Sequence, residues 1–188
     1  MPRRPGEIRI IAGSHKGHRL KVAAGDVVRP TKDRVREAVF STLGDLTNTR
    51  VLDLFAGSGA LGLEALSRGS AHATFVEQDR TVAGILKRNI TSLGLDARAE
   101  VLETPYDSAL RRLLQRGGVF DLLFLDPPYT MLAQVDEAVA TVLPQLLGPG
   151  GLVIVEGPRR AQARLGLPVV FQRRYGNTLI SIYGEEQH

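Results

Sequence analysis

Residues 50–62 read RVLDLFAGSGALG, and this stretch decides the fold. An apolar run ends at Asp53, a glycine-rich loop follows, and small and apolar residues then continue with helical spacing. Glycines let the backbone approach a ligand closely, and the first turn of a helix offers unpaired N–H groups. The stretch therefore predicts a strand, a ligand-binding loop and a helix in succession, as at the ligand site of a doubly wound sheet.

From residue 50 onward, apolar runs alternate with amphipathic segments, which is typical of a parallel sheet with helices on both faces. The predicted strands cover 50–55, 72–77, 97–102, 119–125 and 151–156, and the predicted helices lie near 60–68, 80–93, 106–116 and 134–147. Two more strands, 168–174 and 178–183, flank Tyr175-Gly176-Asn177 and predict an antiparallel hairpin at the end of the sheet. We expect a Rossmann-like α/β fold with seven strands, mostly parallel with one reversed.

The first part of the chain follows a different pattern. Basic and apolar side chains alternate over Ile8–Ile11 and Arg19–Val22, on either side of a glycine-containing turn. This alternation predicts a small β-hairpin with one charged face. Thr31 is the expected N-cap of a linking helix, and Gly44 is its expected end. The hairpin extension would thus be joined to the main domain by one helix.

Positive charge is concentrated in this first part. Residues 1–36 hold ten Lys and Arg against three Asp and Glu, a net charge of +7 in a chain whose total is +4. A basic end on a mildly acidic body is typical of a nucleic-acid binder, and a solubilising tail is the alternative. The candidate RNA contacts are Arg9, Lys16, Arg19, Arg29, Thr31, Arg34 and Arg36. We divide the chain into two parts. Residues 1–28 form a basic RNA-binding hairpin, and residues 29–188 form the catalytic domain, which begins with the linking helix over 29–46.

Composition excludes several other chemistries. The chain has no cysteine, which excludes disulfides, thiolate metal sites and cysteine nucleophiles. Its four histidines have no ligand spacing, so we expect no metal. No apolar leader follows Arg3 and Arg4, and the longest uncharged run, 138–155, is broken by Pro144 and by a Gly-Pro-Gly-Gly segment. We expect a cytoplasmic monomer that has no membrane partner.

The acids at the ends of the first two sheet strands narrow the choice of ligand. Gly57-x-Gly59-x-x-Gly62 followed by Glu77 matches the dinucleotide fingerprint, so an NAD dehydrogenase is one alternative. A carboxylate directly before the loop, Asp53, would repel a pyrophosphate but suits the cationic amino group of S-adenosylmethionine. The chain also has no second domain of about a hundred residues for a dehydrogenase substrate. The candidate cofactor residues are Asp53, Phe55, Ala56, Gly57, Ser58, Gly59, Glu77, Gln78, Thr104 and Asp126.

Asp126-Pro127-Pro128-Tyr129 follows the strongly apolar strand that ends at Leu125. Two prolines remove two backbone donors and stiffen the turn, so its carbonyls keep a defined direction. The exocyclic amine of a nucleobase is a poor nucleophile because its lone pair is delocalised, and two acceptors holding its hydrogens can make it more pyramidal. We assign this task to Asp126 and the Pro127 carbonyl, and stacking on a flipped base to Tyr129. A plain proline turn is the alternative.

The DLFAGSG loop, the acid after the second strand and the DPPY turn after the fourth resemble those of class I amino-methyltransferases. Residues 9–13, 29–37 and 53–65 resemble, more narrowly, the bacterial 16S rRNA guanine-N2 methyltransferase family, and the likeness spans nearly the whole chain. It implies an N-terminal hairpin on a seven-stranded sheet and S-adenosylmethionine as the methyl donor. The implied substrate is 16S rRNA or the small ribosomal subunit, and an assembly intermediate of that subunit is one form it could take.

Other functions stay open at this point. The DPPY motif is shared with DNA adenine methyltransferases, so an enzyme that modifies DNA adenine or a protein glutamine is one alternative. A non-enzymatic RNA-binding module is another, although it leaves the three acids without a role. Where related enzymes often have Asp or Asn to read the cofactor's adenine, this chain has Glu103-Thr104-Pro105-Tyr106. We expect the Thr104 backbone or Pro105 to take that place.

Overall fold

The structure is a computed structural model that describes residues 7–23, 30–159 and 163–185. Two short strands near the N-terminus, β1 (Glu7–Arg9) and β2 (Arg19–Lys21), pair antiparallel. Helix α1 (Pro30–Leu43) comes next. The predicted hairpin and linking helix are therefore both present. No helix within the described ranges has the length and apolar character that a membrane crossing requires.

The main domain alternates strands with helices along the chain. Its strands are β3 (Arg50–Asp53), β4 (His72–Val76), β5 (Ala99–Leu102), β6 (Phe120–Leu125), β7 (Leu147–Pro158), β8 (Val169–Tyr175) and β9 (Thr178–Tyr183). Its helices are α2 (Ala60–Ser67), α3 (Arg80–Ser92), α4 (Tyr106–Gln115) and α5 (Leu132–Leu146), with 3₁₀ turns at Asp96–Arg98 and Tyr129–Met131.

These strands form one sheet in the order β5-β4-β3-β6-β7-β9-β8. The strands from β5 to β7 in that order are parallel, and β9 is antiparallel to both β7 and β8. The prediction of seven strands with one reversed is confirmed. Chain order reverses direction between β3 and β6, and ligands of open α/β sheets bind in the crevice at the carboxyl ends of such strands.

Two apolar layers cover the two faces of the sheet. Residues of α1, α2 and α3 pack on one face, where they meet Leu122 and Phe124 of β6. Residues of α4 and α5 pack on the other, where they meet Leu123 and Leu125 of the same strand. Side chains alternate between faces along a strand, so a strand covered on both sides is apolar at consecutive positions. This explains why the FDLLFL run was a strong strand signal.

The observed boundaries differ from the expected ones at a few places. Helix α1 begins at Pro30, so Thr31 lies inside the first turn and is not the N-cap. Proline suits a first helical position because its φ angle is already helical and its missing N–H would have no partner there. Gly44 ends the helix as expected, with φ at 71°. Strand β7 begins at Leu147, four residues before the predicted start, and pairs with Phe120 there.

The connection between β8 and β9 is a two-residue turn. Tyr175 still pairs with Thr178, so only Gly176 and Asn177 form the loop. Gly176 has φ at 59°. A positive φ at the first of two loop positions is what a type II′ hairpin turn requires, and glycine adopts it without strain.

The N-terminal hairpin packs into the core of the main domain. Ile10 and Leu20, which are 2% and 0% exposed, belong to the same buried cluster as Val39 and Phe40 of α1. At the hairpin turn the chain approaches α2 so closely that a Cβ on Gly13 would lie 1.8 Å from the Ser67 carbonyl oxygen. Only glycine fits at this contact, because the atoms in the way belong to backbone.

A buried carboxylate on α2 holds the hairpin in place. Glu64 has no exposed surface, and its two oxygens accept the backbone N–H groups of Ile11 and Ala12 at 2.7 and 3.0 Å. The Arg68 Nε also donates to it, at 2.7 Å. Charge-assisted bonds of this kind are about twice as strong as neutral ones. Glu64 is therefore a structural residue whose ionised form satisfies the hairpin backbone.

Candidate active site

A cleft of about 740 Å³ opens at the carboxyl ends of the parallel strands. Glu77 follows β4 and Asp126 follows β6, and both line it. A second cavity, of about 280 Å³, shares Phe55, Gly57 and Asp126 with the first and adds Asp53 from the end of β3. Together the two cavities bring the predicted cofactor and catalytic residues to one place at the switch point of the sheet, apart from Gly59.

Asp53 lies at the bottom of this site with 2% of its surface exposed. Burial raises the pKa of its carboxyl to about 7, while a hydrogen bond from the Gly62 N–H at 3.1 Å opposes the rise and the nearby acids Asp126 and Glu77 add to it. A carboxylate that is buried beside two others is stabilised when a cation binds among them. The three acids therefore favour a positively charged ligand.

The glycines of the loop have different roles. Gly57 has φ at 53° and open space where a side chain would be, so it lines both cavities. A Cβ on Gly59 would lie 2.4 Å from Leu86, and its N–H donates to the Ala56 carbonyl at 2.8 Å. Gly59 thus packs closely against α3 and does not line either cavity, and its expected place in the cofactor site stays a prediction. Ala56 and Ser58 line the smaller cavity.

Glu77 fixes the loop as well as facing the cleft. Its Oε2 accepts the Gly57 N–H at 3.0 Å, and its Oε1 accepts the Asp79 N–H at 2.8 Å. Asp79 in turn caps α3 by accepting from the backbone of Thr81 and Val82. Each carboxylate oxygen has a second lone pair, so Glu77 keeps the capacity to accept hydrogen bonds from a ligand. Gln78 lines the cleft beside it.

All four residues of the DPPY segment line the cleft. Pro127 is buried, whereas Tyr129 is 49% exposed and begins a 3₁₀ turn. The Pro128 carbonyl accepts the Met131 N–H at 2.8 Å, and the Tyr129 hydroxyl lies 3.4 Å from the Thr178 hydroxyl. The turn is thus held by the backbone and contacts the β8–β9 hairpin. Asp126 lines both cavities.

The segment after β5 contributes Thr104 and Tyr106 to the lining of the cleft. Thr104 lines the cleft, but Pro105 does not. The next residue, Tyr106, does so instead, and its ring centroid lies 5.5 Å from that of Phe55. Glu103 pairs with Lys87 at the surface. Tyr106 could have been identified from the sequence, because it is an aromatic residue at the start of a helix that follows the carboxyl end of a strand.

Glu156 is a site residue that the sequence reasoning missed. It lies near the carboxyl end of β7 and lines both cavities. The rule that selected Asp53 and Glu77, an acid near the end of a parallel strand, would also have selected it. Asn177 and Thr178 of the final hairpin line the cleft too, but no local motif marks them.

The candidate RNA contacts do not all reach the surface. Arg9, Lys16, Arg19 and Arg34 are exposed. Arg36 is 6% exposed, donates to the Arg9 carbonyl and lies 3.3 Å from Asp33 and 3.9 Å from Glu64. Its position does not fit the RNA contact that we expected, since its guanidinium joins the hairpin to α1 and α2. Arg29 lies outside the described residues, as does the side chain of Thr31.

No cluster of potential metal ligands occurs within the described part of the chain. Acids do converge at the active site, but they are spread over the ends of four strands around a cleft. The chemistry that the described residues offer is therefore acceptance of hydrogen bonds and stabilisation of positive charge.

Known proteins resemble this one over most of its length. Residues 8–184 match the family model described as conserved hypothetical protein 95. The ribosomal RNA small subunit methyltransferase D of Haemophilus influenzae is 40% identical over 158 residues, which cover 82% of this chain and 81% of that protein. Protein TTHA0928 of Thermus thermophilus has a solved structure with a TM-score of 0.82 and 34% identity, covering 95% of this chain and 99% of that one.

A more distant solved structure has the same fold. SMU.776 in complex with SAH has a TM-score of 0.74 at 13% identity, and the match covers 97% of this chain and 57% of that one. The chain carries the Rossmann-like methyltransferase fold with the DPPY turn and the acidic strand ends in place. It belongs to the conserved hypothetical protein 95 family, together with the small-subunit rRNA methyltransferase D proteins, and is a class I methyltransferase.

Proposed function

We propose that this methyltransferase uses S-adenosylmethionine to methylate the exocyclic N2 amine of a guanine in the 16S rRNA of the small ribosomal subunit. The observation that carries the proposal is the position of Asp126. It lines both cavities, so it stands between the acids that favour a cationic cofactor and the rigid turn that can hold an amine.

The cofactor assignment rests on charge and on space. S-adenosylmethionine carries an ammonium and a sulfonium, and the buried carboxylate of Asp53 with its neighbours Glu77 and Asp126 suits such a ligand. The same acids oppose a pyrophosphate, which argues against NAD. Asp53 would hold the ammonium, Glu77 the ribose hydroxyls, and the paired rings of Phe55 and Tyr106 would contact the adenine. The complex of SMU.776 with SAH supports a related ligand in this fold.

The chain's own residues prepare the acceptor. The Asp126 carboxylate and the Pro127 carbonyl each accept one hydrogen of the target amine and direct its lone pair toward the cofactor. Tyr129, half exposed beside the cleft, stacks on the base. When bound, S-adenosylmethionine supplies an electrophilic methyl group. Transfer would form the N–C bond as the S–C bond breaks, with S-adenosylhomocysteine as the leaving group, and the nitrogen would then give its extra proton to water. Most of the rate gain comes from positioning.

The choice of RNA rests on the exposed cations and on the relatives. Arg9, Lys16, Arg19 and Arg34 lie on the hairpin and α1, which pack on the same face of the sheet. Val35 of α1 itself lines both cavities. Exposed cations on the hairpin and on α1 fit a substrate whose backbone is anionic. The relative from H. influenzae is named for methylation of small-subunit ribosomal RNA.

The test is a methyl-transfer assay on four substrates: small ribosomal subunits, naked 16S rRNA, adenine-containing DNA and a protein with accessible glutamine. The ribosomal substrates should come from a strain that lacks the modification. We expect methyl transfer to one of the ribosomal substrates, and nucleoside digestion with mass spectrometry should identify N2-methylguanosine. Methylation of DNA or protein alone, or of a different rRNA atom, would overturn the proposal.

The role of Asp126 has its own test. Asp126→Ala should lower kcat about 100- to 1000-fold, the usual effect of removing one oriented group that acts on the transition state. Cofactor affinity should change much less. Asp121→Ala is a matched control, because Asp121 lies on the same strand and accepts the Arg50 N–H at the end away from the cleft. Near-normal turnover in Asp126→Ala would remove the carboxylate from the mechanism.

A further inference from the structure

The chain has a second basic segment near its C-terminal end. Residues 157–184 hold five arginines and neither lysine nor an acidic residue, whereas residues 37–156 hold nine basic residues against fifteen acidic ones. The acidic body is therefore enclosed in sequence by two basic segments. The second segment contains the β8–β9 hairpin, which contributes Tyr175, Gly176, Asn177 and Thr178 to the lining of the cleft.

Two neighbouring arginines on β8, Arg173 and Arg174, are both exposed but face opposite sides of the sheet. Arg173 pairs with Ile180, which belongs to the cluster under α1, and Arg174 pairs with Leu179. Phe171 and Tyr175, two positions before and after Arg173, also pack against that cluster. Arg173 thus lies on the sheet face that carries α1 and the N-terminal hairpin.

Arg173 is also close to the cleft. Its guanidinium carbon lies 5.5 Å from the centroid of the Tyr175 ring, and Tyr175 lines the cleft. Val35 of α1 lines the same cleft, next to exposed Arg34. The elements that line the cleft therefore carry exposed basic residues, Arg34 on α1 and Arg173 on β8.

We infer that Arg173 on the β8–β9 hairpin is a second RNA-backbone contact, which holds the RNA segment that carries the target base where the β8–β9 hairpin lines the cleft. This inference rests on the proposed function for the identity of the RNA. A guanidinium that lies over an aromatic ring is partly ordered, so it loses less freedom when it pairs with a phosphate. Arg174, on the other face, serves only to keep the exposed edge of the sheet charged, which discourages pairing with other strands.

The test compares two variants with the same charge change on adjacent residues. Arg173→Gln should weaken binding of a 16S rRNA fragment about four- to fivefold at about 0.15 M salt, because one phosphate contact contributes a slope of about 0.7–0.9 in log affinity against log salt. The slope itself should become shallower by the same 0.7–0.9. Arg174→Gln should match the wild type, and Arg173→Lys, which keeps the charge, should stay within about twofold of it.

Cofactor affinity and thermal unfolding, measured on all three variants, should be unchanged and so exclude misfolding as the cause. Equal losses in Arg173→Gln and Arg174→Gln, or wild-type affinity in both, would overturn the inference. Binding is measured apart from methyl transfer, so the two proposals can fail separately. If the wild type methylates rRNA and Arg173→Gln binds the 16S rRNA fragment with normal affinity, only the Arg173 contact is refuted. Wild-type protein that methylates no guanine refutes the proposed function.

Discussion

The pKa of Asp53, raised by burial to about 7, predicts how cofactor binding depends on pH. Only the ionised carboxylate attracts the cofactor's ammonium, so the free protein must lose a proton from Asp53 before or during binding below pH 7. The Asp53 carboxyl has a pKa of about 7 in the free protein and should have a much lower pKa in the complex. The affinity for the cofactor should therefore fall about 50-fold from pH 7 to pH 5, and the fall approaches tenfold per pH unit at the acidic end. The cofactor's α-amino group stays protonated in this range.

Calorimetry measures this effect in two ways. The dissociation constant should rise as pH is lowered from 7 to 5, and titrations at pH 6 in buffers of different ionisation enthalpy should show release of about 0.9 proton per cofactor bound. Asp53→Asn, which keeps an acceptor for the Gly62 N–H, should bind weakly and with little dependence on pH. Wild-type affinity that stays constant from pH 7 to pH 5, without proton release, would refute the account of Asp53 as the ammonium site.

The same carboxyl makes stability depend on pH in a defined direction. Its pKa is higher in the folded protein than in the unfolded chain, so the folded state binds more protons between about pH 4 and pH 7 and the free energy of unfolding falls as pH rises through that range. A shift of about three units corresponds to about 4 kcal/mol at most. Asp53→Asn should be more stable than the wild type at pH 8 in urea unfolding, and similar at pH 4.

Three other substitutions test the roles assigned above. Glu77→Ala should weaken cofactor binding by about 1.5–3 kcal/mol in calorimetry, because bonds to a charged group are lost, and unchanged affinity would place the ribose elsewhere. Glu64→Gln should lower the free energy of unfolding by about 3 kcal/mol because it breaks a buried ion pair, whereas Glu100→Gln, at an exposed pair, should cost less than about 1 kcal/mol. Gly62→Ala should cost about 1–3 kcal/mol in thermal unfolding, because its Cβ would lie 2.3 Å from the Phe75 ring, and full stability would show that the ring can move.

Most of the sheet and much of the site were predictable because their signals are local. The strand, glycine loop and helix over 50–62 follow one another in sequence, and acids at the carboxyl ends of parallel strands meet by topology alone. Asp53, Glu77 and Asp126 were therefore identified without knowledge of any distant contact. The observed strand ends differ from the predicted ones by a few residues, because hydrogen-bond pairing with neighbouring strands decides where a strand begins. Leu147 of β7, which pairs with β6, is an example.

Features that depend on distant partners were not predictable in the same way. Arg36 belongs by composition to a basic segment, and only the position of Glu64, 28 residues later and on another helix, shows that it is buried. Gly59 fits a ligand-binding motif, and only the structure shows that it also packs closely against Leu86 of α3. The C-terminal basic segment was hidden because its charge was averaged with that of the acidic body over residues 37–188.

Asn89 on α3 joins the two halves of the protein through one side chain. Its amide oxygen accepts the Lys21 N–H and its amide nitrogen donates to the Lys21 carbonyl, both at 2.9 Å, and the same nitrogen donates to the Ser58 carbonyl in the glycine loop, also at 2.9 Å. The residue is 1% exposed, so water cannot replace a bond that breaks. A displacement of β2 would therefore disturb the Ser58 carbonyl contact in the glycine loop. If β2 carries RNA and the loop holds the cofactor, as proposed above, binding of either ligand should change the affinity for the other by the same factor.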